Sequence, residues 1–154
     1  MRLSFTTALL TLAFVGFGAG ESRAEPDCIQ ASRLVRQGAE MADGSAQEEK
    51  FYRDAIEACP NMAEAYHNLG LVLSKRGVTD EAMKMLGKAI ELKDDPNFRV
   101  AAGTVKLEKG LNQEAQADFE KALELDPKSV KALQGLGVVH DRLGQSSQAL
   151  EVLK

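Results

Sequence analysis

The chain has 154 residues, 44% of them hydrophobic and 27% charged, with a formal net charge of −4. That length holds one domain, and so balanced a composition excludes an intrinsically disordered chain. The weakly acidic charge gives no electrostatic support for nucleic acid or anionic lipid as a partner, and 5% aromatics without Trp leaves a core of Leu, Ala, Val and Met, which favours helix over sheet.

The first segment stands apart from that core. Met1-Arg2 is a short basic start, Leu3 to Gly20 carries no charge, and Ala8–Phe17 (ALLTLAFVGF) is its most apolar stretch. Ser22 and Ala24 then supply small residues in an A-x-A-like arrangement. This is the plan of a secretory signal peptide over residues 1–24, with cleavage after Ala24 and a mature domain of residues 25–154. An uncleaved anchor is the competing reading, but the apolar core is short for a span of about 20 residues. No membrane span is therefore expected after cleavage. Cys28 follows Glu25-Pro26-Asp27 rather than the small and apolar residues of a lipoprotein signal, so no lipid anchor is expected. Without the leader, 17 basic and 22 acidic residues remain, a net charge near −5. The expected location is periplasmic or secreted.

Export gives the two cysteines meaning. An oxidising compartment favours a bridge between Cys28 and Cys59, although two unpaired small core residues remain an alternative. Between them lie an amphipathic stretch, Ile29–Ala42 (IQASRLVRQGAEMA), and a second helix carrying Tyr52, Ala55, Ile56 and Pro60.

From residue 62 onward the sequence repeats. Aligned on Gly70, Gly103 and Gly137, seven residues on come Gly77, Gly110 and Gly144. Twelve on come Ala82, Ala115 and Ala149; sixteen on come Leu86, Phe119 and Leu153; nineteen on come Ala89 and Ala122. The period is 33, then 34 residues. The first Gly and the Ala positions are small where paired helices approach, and the Leu or Phe fills the gap between them. The second Gly ends the first helix in a left-handed turn. Thr79, Asn112 and Ser146 are placed to cap the second helices, and Pro60 and Pro127 end the preceding ones.

These residues resemble the tetratricopeptide repeat family. The family's leucine-glycine pair stands as Leu69-Gly70 and Leu136-Gly137, its aromatic slot as Tyr66, and Glu120–Pro127 (EKALELDP) is close to its usual second-helix ending. The resemblance implies an all-α fold, an α-solenoid of antiparallel helix pairs in a TPR-like superhelix. The repeats fall at about 28–61, 62–95, 96–129 and 130–154, the last truncated. The first copy is degenerate, with Gly38 off register. In the middle copy Pro96 lies seven residues after Ala89, which predicts a longer linker with Asp95 as N-cap and a short first helix. Arg99 takes the aromatic slot and Ala102 the Leu slot, so packing there is expected to be looser. The antiparallel pairing places Cys28 beside Cys59.

The resemblance also implies that the first helices line a concave face. The positions three before and one after each motif glycine should point inward: His67 and Leu71, Val100 and Thr104, Gln134 and Val138, with Leu107 nearby. That set suits a protein or peptide partner, either an extended peptide or a helix. The Lys, Asn and Arg slots with which some family members hold chaperone C-termini carry His67, Leu71, Gln134 and Val138, so that clamp is not spelled.

No catalytic constellation appears. The two histidines, His67 and His140, form no metal-binding pair, there is no C-x-x-C and no phosphate-binding glycine loop, so neither a metal, a cofactor nor an enzymatic activity is expected. Leu150, Val152 and Leu153 lack a capping helix after them, which leaves three readings: a frayed end, a homodimer surface, or a fragment of a longer product such as an accessory part of a larger enzyme. The leader makes a direct prediction. Intact-mass analysis of the exported protein should show Glu25 as its first residue; a retained Met1 would mean an anchor.

Overall fold

The computed structural model describes residues 26–145. These form seven helices: α1 (Cys28–Met41), α2 (Ala46–Ala58), α3 (Ala63–Lys75), α4 (Thr79–Leu92), α5 (Pro96–Glu108), α6 (Asn112–Leu125) and α7 (Val130–Arg142). No strand occurs among the described residues. The leader and the stretch from Ser146 onward, including Ala149, Leu150, Val152 and Leu153, lie outside them.

Each helix starts and stops for a local reason. The Asp27 carboxylate accepts the Gln30 N–H at 2.8 Å to cap α1, and Ser45 Oγ accepts the Glu48 N–H at 3.1 Å to cap α2. Asp95 caps α5 through the Asn97 N–H, with Pro96 at the first helical position, where its missing donor costs nothing. The first helices of the later pairs close on Gly77 and Gly110, whose φ angles of 76° and 83° are open to glycine without strain.

Those glycine turns overturn one expectation. Thr79 and Asn112 are the first residues inside α4 and α6, not their caps; the cap positions belong to Val78 and Leu111. Val78 N–H donates back to the Leu73 carbonyl, and Leu111 N–H to that of Lys106, each at 2.9 Å. The residue that closes one helix is therefore already the cap position of the next, and Val78 and Leu111 have no side-chain oxygen with which to cap it.

The helices pair in antiparallel hairpins, and large side chains of the second helices fill the space that glycines leave on the first. A Cβ placed on Gly70 would lie 2.6 Å from Leu86 Cγ, and one on Gly38 2.7 Å from Tyr52 Cε1. Gly38 thus serves the same packing role as Gly70 although its sequence register differs. Phe119 on α6 is held from both sides: a Cβ on Gly103 would meet its ring at 2.9 Å, and one on Gly135 at 2.5 Å. Gly135 was not among the aligned slots, yet it gives the ring its room on α7.

The first helices also touch each other in succession, α1 with α3, α3 with α5 and α5 with α7. Second helices of neighbouring pairs make no comparably close backbone approach among the described residues, although Arg53 on α2 reaches Glu81 on α4 at 2.8 Å. Helices packed closely on one side and splayed on the other curve the array, with the first helices on the inner wall.

The middle pair is more regular than its sequence suggests. α5 has 13 residues, as do α3 and α7. Pro96 begins its helix, whereas Pro60 and Pro127 each lie three residues ahead of theirs, so a displaced proline mimicked a short helix. Nor is the Arg99 slot loose. Its guanidinium bonds Asp94 at 2.8 Å and Asp118 at 3.2 Å, and Lys106 reaches the same Asp118 at 2.7 Å. The Asp118 side chain is only 7% exposed, so two cations neutralise a carboxylate that burial would otherwise make costly.

At the other end a disulfide joins Cys28, at the start of α1, to Cys59, just past α2, across a sequence separation of 31. It ties the two ends of the first hairpin where, among the described residues, one neighbouring pair packs against it.

Two measurements check these contacts. Gly135→Ala should cost about 1–3 kcal/mol through overpacking, read as a lower urea midpoint, and adding Phe119→Leu should recover part of the loss. Reducing the disulfide should lower stability by about 3–4 kcal/mol in the chain-entropy account; an unchanged midpoint under reductant would show that the first hairpin holds without it.

Candidate functional site

A concavity lies on the inner wall between α3 and α5. It has a volume of about 650 Å³. His67, Leu71, Val100 and Thr104 all line it. They meet there because α3 and α5 pack side by side in parallel register and each contributes one stripe of the i, i+4 spacing.

The other expected residues fall elsewhere. Leu107 is only 8% exposed and packs with Phe119, Leu136 and Val139 in the core between α5, α6 and α7. Three residues along a helix turn the side chain by about 300°, so Leu107 sits about 60° round α5 from Thr104, on the flank that meets α6 and α7. Gln134 and Val138 are exposed on α7 but do not line the cleft; from α7 only Lys131 reaches it. Glu64, Ser74 and Lys75 on α3, and Asn97 and Glu108 on α5, extend the stripes toward both ends. Continuing the same helical spacing by one turn would have found them. Phe98 is different, because no motif marked it.

Phe98 is 5% exposed and lies against the cleft floor. Its ring stacks on His67 at 4.6 Å between centroids, with 26° between planes. The Lys93 ammonium sits 5.7 Å from the Phe98 centroid, close enough for a cation–π contact. Lys93 is itself steered by Glu64 at 3.2 Å and Asp95 at 3.4 Å. Hydrogen bonding to Glu64, then its negative charge, raise the Lys93 pKa and keep the ammonium charged. Burial lowers the His67 pKa from its ordinary 6.5, against the opposing pull of Asp95 and Glu64, so the imidazole is neutral at pH 7.

The cleft therefore has an apolar middle, built on Leu71, Val100, Ala101 and Val105, and polar ends. Glu64, Lys93 and Asp95 stand at one end; Ser74, Lys75 and Glu108 stand at the other, with Ser74 Oγ donating to Glu108 at 3.2 Å. Among the described residues no group of three or more His, Cys, Asp or Glu side chains is placed to hold a metal ion. Nor is any described helix long and apolar enough to cross a membrane.

Comparison with known proteins settles the family. Tetratricopeptide repeat models match residues 62–93 and 106–154, together more than half of the chain. The chain is a tetratricopeptide repeat protein. It is 26% identical over 125 residues to the DnaJ homolog subfamily C member 3 of Gallus gallus, covering 81% of this chain but only 24% of that protein. The chain thus spans about a quarter of that relative's length. Among solved structures, MamA superposes with a TM-score of 0.74 at 20% identity, covering 84% of this chain and 76% of that one. The first TPR domain of RPAP3 (Spaghetti), bound to an HSP90 peptide, superposes with a TM-score of 0.73 at 19% identity, covering 77% of this chain and 96% of that one. At such identities these likenesses concern the fold. A tetratricopeptide repeat array of this kind is a scaffold for protein–protein interaction, and such scaffolds are in general not catalytic.

Proposed function

We propose that this tetratricopeptide repeat protein works in the cell envelope and holds an extended segment of a partner protein in the α3–α5 cleft. The shape of the cleft carries this reading. From Glu64 to Lys75 the α3 wall runs about 16 Å at 1.5 Å per residue. An extended strand rising about 3.3 Å per residue places roughly five residues there.

The chemistry is of the same kind. The apolar middle accepts one or two uncharged side chains, and the polar ends can satisfy the peptide's backbone groups and flanking charges. The peptide-bound state of the RPAP3 domain supports the reading by analogy. The envelope location rests on the leader sequence, and the disulfide is consistent with an oxidising compartment.

Leu71 offers the test, because it is a 36% exposed apolar residue within the cleft. Leu71→Glu places a charge among apolar walls, and should reduce capture of the partner from envelope extract at least tenfold while leaving the circular-dichroism spectrum intact. Val138→Glu, also exposed but outside the cleft, should retain capture. Equal capture by wild type and Leu71→Glu would exclude the cleft as the docking site.

A further inference from the structure

The His67–Phe98 stack leaves an unusual feature in the cleft floor. His67 Nδ1 is inaccessible to solvent and has no hydrogen-bond partner. A neutral imidazole tolerates this by carrying its proton on Nε2, so that Nδ1 is only an unused acceptor. An imidazolium has a proton on both nitrogens, and Nδ1–H would become a buried donor with nothing to receive it.

The surrounding charges do not rescue the protonated form. On α3, Glu64 is the nearest acid; ahead of α5, Asp95 is the other. Both are engaged with the Lys93 ammonium, and Asp95 also accepts the Asn97 N–H at 2.9 Å as the helix cap. From α7, Lys131 adds a like charge that opposes protonation. Arg99, also on α5, is turned to Asp94 and Asp118. A proton arriving on His67 therefore meets a donor without an acceptor and carboxylates already shared with a lysine.

We propose that His67 is a proton-operated latch of the peptide cleft: neutral, it lies stacked on Phe98 and forms the floor; protonated, it leaves the stack and the bound segment is released. The release half of this proposal rests on the docking reading given above, whereas the latch itself belongs to the unliganded protein. An envelope compartment open to the external medium would experience such acidification directly.

The sign follows from burial. Above about pH 6.5 the ring is neutral in folded and unfolded chains alike, and the stack contributes in full. As pH falls below that value, the unfolded chain takes up a proton that the folded stack resists. Stability is therefore lost through the window between the ordinary value and the lower folded one.

Two readouts test the latch separately from the docking reading. In the free protein, imidazole NMR between pH 8 and 4.5 should show His67 titrating below 6.5, with the Phe98 ring signals moving at the same midpoint. His67 titrating at or above 6.5, or Phe98 signals that do not follow it, would overturn the latch. In the second readout, an immobilised pool of random seven-residue peptides is loaded at pH 7.5 and shifted to one unit below the His67 midpoint found by NMR. Wild type should lose at least four-fifths of its retained protein, whereas His67→Gln should show a low-pH to pH 7.5 retention ratio near one, whatever its absolute retention. Equal ratios for the two proteins would overturn the release step. No retention of wild type at pH 7.5 would count against peptide docking, and the NMR titration would then decide the latch by itself.

Discussion

The structure depends on how closely two antiparallel helices can approach at one point in each hairpin. That approach exists because a glycine on the first helix faces a large side chain on the second: Gly38 against Tyr52, Gly70 against Leu86, Gly103 against Phe119. No other residue could stand at those glycines without moving its neighbour, since the missing Cβ is the space that the ring or the leucine occupies. Phe119 and Leu86 are almost wholly buried as a result. Phe119 goes further than its counterparts, because Gly135 on α7 receives it as well. One side chain thereby locks a hairpin internally and fastens it to the next.

Curvature follows from the same packing. First helices contact their own partners and the first helices on either side, whereas the backbones of neighbouring second helices stay further apart, bridged between α2 and α4 by the Arg53–Glu81 ion pair. The inner wall is therefore continuous, and the residues of α3 and α5 that point away from the hairpin cores are forced to share one concavity. A cleft of this origin is a by-product of stacking, and its chemistry can change without disturbing the fold. His67, Leu71 and Thr104 face the cleft while Leu69 and Val72, one or two positions away, fill the core. Function and stability are thus interleaved along the same helices, and Val100, Ala101 and Val105 belong to both core and cleft.

The electrostatics show what happens where the repeat departs from its own pattern. Arg99 replaces an aromatic residue, and the fold accommodates it with Asp94 and with Asp118, which Lys106 shares. The position still links α5 to α6, but through charge-assisted hydrogen bonds in place of ring packing. Lys93 plays a comparable part at the mouth of the cleft, holding Glu64 and Asp95 near the His67–Phe98 stack. These groups come from α3, from the α4–α5 linker and from α5, so their meeting depends on the stacking of two successive hairpins.

Periodicity alone was enough to read the helical hairpins, the glycine turns at Gly77 and Gly110, the Asp95 cap and four residues of the cleft, because each of these is a local pattern or one repeated at a fixed interval. It misjudged Thr79 and Asn112 by one residue, since the turn after each glycine puts the cap position on Val78 and Leu111. It misjudged Leu107, since a face assignment shifted by part of a helical turn exchanges groove for core. It gave no sign of Phe98, of the ring that Gly135 meets, or of the partners of Arg99. Those are contacts between hairpins: spacing along the chain reports which residues share a face of one helix, but the neighbour that face meets is chosen only when the helices stack in three dimensions.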